Sequence, residues 1–331
     1  MGYNNKDLKV TQYGVSLGGR ALKLGHGFKL VKPASVYKIW GGSQMAALKN
    51  LPSSKGADSL GETWEVSVHP DGPSLYEDQS LSEYISDTEM PYLIKLIDTS
   101  LHLSVQVHPG DEFAKIHENS QGKTECWIIL GAEEGSGIYL GLKEGVKKVD
   151  FENSLKSGES MDQFLVFYPV KRGDFFYVPA GSIHAIGAGV FLAEVQQSSG
   201  ITYRVWDWNR LDSEGKSREL HVEKAMQVIN FKDKHNDSKT FKIKKDVFKE
   251  RNSLLVDHPQ FNLRQVTLEV GEEVEINPLD LGRAKGILNL EGSIEIDGVL
   301  VDAYQSLVRE ESDKSPIKIE AREAGSLLLV E

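Results

Sequence analysis

Residues 172–187 read RGDFFYVPAGSIHAIG and contain two strand-like segments within one short stretch. A Gly-Asp turn precedes the aromatic run FFYV, and a Pro-Ala-Gly turn leads to a second apolar segment that starts at His184. Aromatic and β-branched runs bounded by Gly, Pro and Asp are typical of strands in sandwiches and barrels. The stretch therefore predicts a β fold and places His184 at the edge of a β element.

Most of the remaining chain repeats this pattern of short strands and turn residues, so we predict a mainly β fold with a few helices. Helical spacing occurs in three segments, residues 80–89, 111–119 and 219–229. The last of them, ELHVEKAMQVI, is the strongest because its apolar residues form one stripe at helical periodicity.

The chain has 331 residues, enough for about two domains. Residues 231–246, FKDKHNDSKTFKIKKD, are charged and lack a sustained pattern, which indicates a boundary near residue 238. We therefore predict a larger domain over residues 1–238, with helical additions, and a smaller β domain over residues 239–331. Within the latter, Asp297-Gly298 predicts a two-residue hairpin, because a type I′ turn needs positive φ.

The charge balance is acidic, with 38 Lys and Arg against 49 Asp and Glu and a formal net charge of -11. Nucleic-acid binding needs a basic patch, so we expect no nucleic-acid partner. No apolar run reaches the roughly 20 residues that cross a bilayer, so we expect no membrane partner. The single cysteine, Cys126, fits a reducing compartment, and we predict a cytoplasmic protein. We predict a monomer because no exposed apolar stripe stands out.

Residues 101–113, LHLSVQVHPGDEF, alternate apolar and polar positions and predict an amphipathic strand. Gln106 and His108 are two residues apart and therefore share one face of that strand. The ordinary interpretation is a surface strand with its polar face in water. Two further segments favour a different interpretation.

Glu125, in GKTECW, stands at the head of an apolar strand, where a carboxylate is costly to bury unless it is paired or bound to a metal. Together with Gln106, His108 and His184 it forms a reasonable ligand set for Zn²⁺ or a neighbouring first-row metal. Without thiolate ligands, a catalytic site is favoured over a structural one. Cys126 alternates to the opposite face of the strand, so we expect a buried and inert thiol.

Several stretches together resemble the type I mannose-6-phosphate isomerases in their short bacterial form. They are LIKLIDTSLHLSVQVHP from residue 93, GKTECW from 122, GDFFYVPAGSIHAIGAGVFLAEVQQSSGITYRVWDWNR from 173, and ELHVEKAMQVI from 219. WGG at residues 40–42 and GETWEVSVHPDGPS from 61 extend the resemblance from about residue 30 to 229. Residues beyond 238 match more loosely.

The resemblance implies a zinc-dependent aldose–ketose isomerase that interconverts D-mannose 6-phosphate and D-fructose 6-phosphate through an enediol. It implies two cupin-type jelly-roll barrels, a catalytic one over residues 1–238 and a cupin-like one over residues 239–331. It also assigns roles to individual residues. One Zn²⁺ per chain would be held by Gln106, His108, Glu125 and His184; the catalytic residues would be Arg204, Glu194 and Lys123, and Lys123 and Arg204 would also bind the sugar phosphate.

One position departs from the family pattern. Members often carry Ser-Asp shortly before the Tyr-Arg pair, whereas this chain has Gly200 at the position of the aspartate. An acid/base role given to that aspartate in some relatives cannot operate here. Glu194, Lys123 and a metal-bound water are left as candidates.

Each role has a simpler alternative. Lys123 could be a solvated turn residue, Arg204 could pair with Asp207, and Glu194 could orient His184 instead of acting as a base. His69 lacks nearby ligand partners in the sequence, so we expect a structural or cleft role for it.

Two other functions are open, a metal-dependent cupin oxygenase and a non-catalytic cupin that binds or senses a sugar phosphate. An acidic protein that binds a sugar phosphate must concentrate basic residues at its cleft. We expect Lys95, Lys171 or Arg172 there beside Lys123 and Arg204.

Overall fold

The computed structural model describes residues 22–211, 215–279 and 281–331. Strands make up 40% and helices 14% of it, so the predicted mainly β class with a few helices is confirmed. No helix in the described part of the chain is long and apolar enough to span a membrane.

The strands follow one another along the chain with short connections. In the first part they are β1 Lys29–Val31, β2 Ala34–Lys38, β3 Ser54–Lys55, β4 Asp58–Val66, β5 Leu75–Tyr76, β6 Gln79–Ser80, β7 Tyr92–Asp98, β8 Val105–Val107, β9 Glu125–Ala132, β10 Gly137–Leu142, β11 Leu165–Pro169, β12 Phe175–Val178, β13 His184–Ile186, β14 Val190–Gln197 and β15 Tyr203–Trp206. In the second part they are β16 Asn252–His258, β17 Phe261–Leu268, β18 Glu273–Ile276, β19 Lys285–Glu291, β20 Ile294–Ile296, β21 Val299–Val301, β22 Ser306–Arg309, β23 Ile317–Ala321 and β24 Gly325–Val330.

Four α-helices lie between these strands: α1 Gln44–Leu48, α2 Asp111–His117, α3 Lys148–Ser157 and α4 Val222–Val228. The predicted helices over residues 111–119 and 219–229 correspond to α2 and α4, each shorter than expected. The helix expected over residues 80–89 is wrong, because only Leu81–Glu83 forms a 3-10 turn after its cap, Ser80. The sequence did not indicate α1 and α3.

The first sandwich pairs a seven-stranded sheet with a five-stranded sheet. The larger sheet has the order β12-β9-β14-β7-β4-β2, with β3 added beside β4. The smaller has the order β11-β10-β13-β8-β15. Both sheets are antiparallel, and the second is covered on its far face by a core that includes residues of α3 and α4.

The second sandwich pairs a six-stranded sheet, β1-β22-β19-β24-β17-β16, with a four-stranded sheet, β18-β23-β20-β21. The predicted hairpin is present, with Asp297 at φ 48° and Gly298 at φ 81° between β20 and β21. Both residues therefore have the positive φ of a type I′ turn. The edge strand β1 pairs with β22, so a segment from before residue 238 completes the second sandwich. The boundary at residue 238 remains a prediction.

The sheets stack in layers, and side chains alternate between layers along each strand. In β9, Cys126 faces the six-stranded sheet and shares a core with Leu328. The next residue, Trp127, faces the five-stranded sheet and shares a core with Leu140. Burial of a large apolar side chain contributes roughly 1.5–3 kcal/mol. One strand thus serves two cores, which fixes the direction in which its polar residues point.

A buried ion pair also connects the two sandwiches. Lys49 Nζ lies 2.9 Å from Glu65 Oε1, and the Glu65 side chain is fully buried. Thr63 Oγ1 donates to the same carboxylate at 2.6 Å, and Ser306 Oγ of the second sandwich donates at 3.0 Å. The carboxylate therefore has partners on both sides of the junction.

Candidate active site

The site lies between the two sheets of the first sandwich, where each sheet contributes one row of side chains. In the five-stranded sheet, Gln106 on β8 is the register partner of His184 on β13 and of Arg204 on β15. Neighbouring strands are about 4.8 Å apart, so this pairing places three predicted site residues side by side. His108 follows directly after β8.

The seven-stranded sheet supplies the opposite row. Glu194 on β14 is the register partner of Trp127 on β9 and of Lys95 on β7, and Lys95 is in turn the partner of Trp64 on β4. Glu125 is the first residue of β9. Residues that are far apart in sequence therefore meet because antiparallel pairing sets their register.

Three predicted metal ligands form a compact buried group. Glu125 Oε1 lies 3.2 Å from His184 Nε2, and Glu125 Oε2 lies 3.5 Å from His108 Nε2. Ligand atoms of these three residues all lie within 4.8 Å of one another, and all three residues are buried. This group of two imidazoles and one carboxylate could hold a metal ion.

Backbone carbonyls fix the orientation of both imidazoles. His108 Nδ1 is 2.8 Å from the carbonyl oxygen of Ile201, and His184 Nδ1 is 3.0 Å from that of Ser182. A carbonyl oxygen can only accept, so each Nδ1 carries the proton and each Nε2 presents a lone pair. His184 is thus oriented by Ser182 and not by Glu194, which removes one alternative for Glu194.

Burial sets the charge of the group. It lowers the pKa of the His184 imidazole to about 4 and that of the His108 imidazole well below its ordinary value. Burial also raises the pKa of the Glu125 carboxyl to about 7, against the opposing effect of Lys123. Neutral imidazoles are the form that coordinates a metal.

Unsatisfied polar atoms indicate what the group lacks. His108 Nε2 and both carboxylate oxygens of Glu125 are buried without a hydrogen-bond partner among the described residues. Leaving such atoms unpaired costs about 1–3 kcal/mol each. A divalent cation would satisfy all three, and nitrogen and oxygen donors suit Zn²⁺ and its first-row neighbours. The residues present therefore fit a metal ion.

The fourth predicted ligand, Gln106, is adjacent but turned. Its amide Nε2 lies 3.3 Å from His184 Nε2, and Ser104 Oγ donates to its Oε1 at 3.4 Å. Only the amide oxygen can coordinate a cation. Gln106 can therefore join the other three after rotation of its terminal amide, which exchanges the two atoms.

A cavity of about 360 Å³ opens above this group. Gln106 and the three predicted catalytic residues, Lys123, Glu194 and Arg204, all line it. Its other charged lining residues are Lys38, Glu62, Asp71, Lys95 and Arg218, and it includes the indoles of Trp40, Trp64 and Trp127. The pocket is therefore basic on balance although the protein is acidic.

Lys123 is not a solvated turn residue, because only 6% of it is exposed. Its Nζ lies 3.1 Å from Glu125 Oε2. Burial alone would lower the pKa of the ammonium, but the carboxylates of Glu125, Glu194 and Glu62 outweigh burial and raise it. Lys123 is therefore a buried cation in contact with the metal-ligating group.

Glu194 is 3% exposed and has two partners. Trp127 Nε1 donates to its Oε2 at 2.9 Å, and Lys95 Nζ lies 3.5 Å from its Oε1. The same Nζ lies 3.5 Å from Glu62 Oε2. Lys95 thus bridges two carboxylates inside the pocket.

Arg204 reaches the pocket from the opposite sheet. Its Nη1 donates to the carbonyl oxygen of Glu219 at 2.6 Å, while its Nε is buried without a hydrogen-bond partner in the described residues. Asp207, the partner considered for it, accepts instead from Arg210 and Arg218. The expectation that Arg204 pairs with Asp207 is therefore wrong.

A family profile described as the catalytic domain of type I phosphomannose isomerase matches residues 28–126. The mannose-6-phosphate isomerase of Streptococcus mutans serotype c is 40% identical over 207 residues, covering 58% of this chain and 64% of that protein. The probable mannose-6-phosphate isomerase GmuF of Bacillus subtilis is 38% identical over 217 residues, covering 60% of this chain and 67% of that protein. This chain belongs to the type I phosphomannose isomerase family.

A solved structure extends the likeness beyond the matched sequence. The crystal structure of the mannose 6-phosphate isomerase from Bacillus subtilis covers 92% of this phosphomannose isomerase family chain and 100% of its own chain. The TM-score is 0.75 and the identity is 26%. The family resemblance and the cupin-type fold are thus confirmed. By sequence, however, the match spans slightly less than two thirds of the Streptococcus relative.

Sequence reasoning about the phosphomannose isomerase pocket was right about Lys95 and wrong about Lys171 and Arg172. The latter two are not among the lining residues, and Arg172 pairs with Glu291 of the second sandwich. It missed Lys38, Glu62, Trp64 and Arg218. Glu62 and Trp64 carried a usable signal, because residues two apart on a strand share a face. Lys38 and Arg218 carried none that distinguishes them from surface charges.

Proposed function

We propose that this protein is a zinc-dependent aldose–ketose isomerase that interconverts D-mannose 6-phosphate and D-fructose 6-phosphate through an enediol. The observation that carries the proposal is the buried group of His108, Glu125 and His184 beneath a pocket lined with five basic side chains. Membership of the phosphomannose isomerase family supports the choice of reaction and of substrate.

One Zn²⁺ per chain would be held by His108, Glu125 and His184, with Gln106 as the fourth ligand. When bound, the ion would polarise the carbonyl of the open-chain sugar and stabilise negative charge on its oxygens. The carbonyls of Ile201 and Ser182 keep both imidazoles in the tautomer that this requires.

The basic residues of the pocket would attract the sugar phosphate. The whole protein has a formal net charge of -11, which opposes the approach of a dianion. Lys123 and Arg204, supported by Lys38, Lys95 and Arg218, provide a local positive field that reverses this effect. Arg204 keeps its charge at any physiological pH and can hold hydroxyl or phosphate oxygens through its planar donors.

The proton that moves between carbon 2 and carbon 1 needs a base, and we assign Glu194. Its Oε1 is buried at the pocket without a hydrogen-bond partner in the described chain, while its Oε2 is held by Trp127. Lys123 is held against Glu125 and is better suited to stabilise charge. A positioned carboxylate contributes typically 10²–10⁴-fold to such a proton transfer.

The decisive experiment is a coupled isomerase assay on purified protein before and after chelation, with Zn²⁺, Co²⁺ and Mn²⁺ added back one at a time. We expect activity with mannose 6-phosphate that chelation abolishes and Zn²⁺ restores. Oxygen uptake with bound iron would identify a cupin oxygenase instead. Saturable binding of mannose 6-phosphate with no product would identify a non-catalytic binding protein.

We also propose that the enzyme is a cytoplasmic monomer. The one cysteine of the chain is buried and unpaired, which suits a reducing compartment. Light scattering on the purified protein tests the monomer, and cell fractionation tests the location.

A further inference from the structure

Three carboxylates line the pocket, and one of them differs from the other two. Glu62 Oε2 accepts from Trp64 Nε1 at 2.7 Å, and Glu194 is held in the same way by Trp127. Asp71 lines the same pocket, but in the described part of the chain no hydrogen bond ends at its carboxylate. Its side chain is 73% exposed, and its nearest charged partner is His69 Nδ1 at 3.7 Å. Its oxygens are therefore available to a ligand.

The turn that carries Asp71 is firmly held. The amide of Gly72 donates to the carbonyl oxygen of His69 at 3.1 Å, and the amide of Asp71 donates to His69 Nδ1 at 3.2 Å. The His69 ring packs edge-on against Trp64 at 5.6 Å between centroids. Gly72 lies so close to Trp64 that a Cβ there would be 2.8 Å from its Cε3. The position of Asp71 is thus fixed relative to a pocket wall.

Gly200 lies directly opposite this turn. A Cβ at residue 200 would lie 3.4 Å from Asp71 Oδ2 and 3.4 Å from His69 Cε1. Gly200, Thr202 and Arg204 all line the pocket along one segment. The carboxylate of Asp71 therefore occupies the space that a side chain at residue 200 would enter, beside the segment that leads to Arg204.

We propose that Asp71 is a substrate-binding residue whose carboxylate accepts a hydrogen bond from a sugar hydroxyl at the Gly200 side of the pocket. The inference rests on the proposed function. Hydrogen bonds to ionised acceptors are roughly twice as strong as neutral ones, so one such contact affects affinity measurably. It also gives Gly200 a meaning, because a carboxylate is supplied to that space from a different loop.

The test is a set of four variants of the zinc-loaded enzyme: Asp71→Ala, Asp71→Asn, Gly200→Asp and the double variant Asp71→Ala/Gly200→Asp. We expect Asp71→Ala to raise KM for mannose 6-phosphate about tenfold, with kcat within about threefold, and Asp71→Asn to do so less. Gly200→Asp also raises KM, because two carboxylates then meet in one space. The double variant recovers most of the wild-type KM.

Asp78→Asn is the matched control, since Asp78 is 81% exposed and pairs with Lys32. Its KM stays at the wild-type value. Zinc content and Tm are measured for every variant and stay unchanged. A KM within twofold of wild type in Asp71→Ala overturns the inference, as does a double variant no better than Asp71→Ala. An inactive wild type would instead overturn the proposed function, so the two failures are distinguishable.

Discussion

The Nζ atom of Lys123 lies 3.1 Å from Oε2 of Glu125, so a buried ammonium and a buried carboxylate meet beneath the pocket. The same carboxylate faces His108 and His184 with its two oxygens. Lys123 and a metal ion would therefore compete for the negative charge of Glu125. This arrangement separates the requirements for metal binding from those for turnover.

The first prediction concerns Lys123→Met, which keeps much of the side-chain volume and removes the charge. We expect zinc affinity to be retained or increased, because a competing cation is gone. The value of kcat/KM should fall at least 10²-fold, because a charge that stabilises the substrate is lost. Metal analysis and steady-state kinetics on the same preparation check this. Loss of zinc from the variant would contradict it.

The second prediction concerns His184→Ala, which removes one ligand of the buried group. Zinc content should fall well below one per chain, and interconversion of the two sugar phosphates should disappear. His117→Ala is the control, because His117 is exposed on α2 and stacks on Phe113 away from the metal group. Full activity in His184→Ala would refute the ligand assignment.

The third prediction concerns Arg204→Ala. Zinc content and folding should be retained while kcat falls about 10²–10³-fold, as is typical when a donor to developing negative charge is removed. Arg172→Ala, whose side chain pairs with Glu291 instead, should leave kcat unchanged. Unchanged turnover in Arg204→Ala would show that the arginine is only structural.

The fourth prediction concerns Cys126, which is 1% exposed. Burial raises the pKa of its thiol well above the ordinary range, so little thiolate is available. A thiol reagent should label no cysteine in the native protein and one per chain after denaturation. Native labelling within minutes, accompanied by loss of activity, would mean that the thiol lies on the side of the metal group.

The fifth prediction concerns the ion pair between the sandwiches. Lys49→Ala leaves the fully buried Glu65 carboxylate without its cation. We expect a loss of about 3–5 kcal/mol in the free energy of unfolding, measured with urea. The double variant Lys49→Met/Glu65→Leu should lose less, because no charge is then left buried. Equal losses in both variants would show that packing, and not the charge, matters.

Much of the fold could be predicted because the signals are local. Gly-Asp and Pro-Ala-Gly turns bound the strand FFYV, and Asp297-Gly298 specifies its hairpin through backbone conformation alone. The short helix α1 and the polar helix α3 escaped, because neither presents a clear apolar stripe. The pairing of β1 with β22 also could not be predicted, since nothing local to residues 29–31 indicates so distant a partner.

The candidate site was predictable to the extent that the chain resembles its family. Spacing alone grouped Gln106 with His108, but antiparallel register brought His184 and Arg204 to either side of Gln106. That register depends on long-range pairing. Lys38 and Arg218 are ordinary charged residues in sequence and acquire a common surroundings only through the fold.

The position of β24 has a consequence for synthesis on the ribosome. β24 lies in the middle of the six-stranded sheet, between β19 and β17, while β1 waits at its edge for β22. Those strands cannot assemble until residues 325–330 have been translated. Until then, the apolar face of β9 that later packs against Leu328 stays uncovered on the nascent chain. Chaperone demand should therefore be set by this late step, at an interface remote from the metal group.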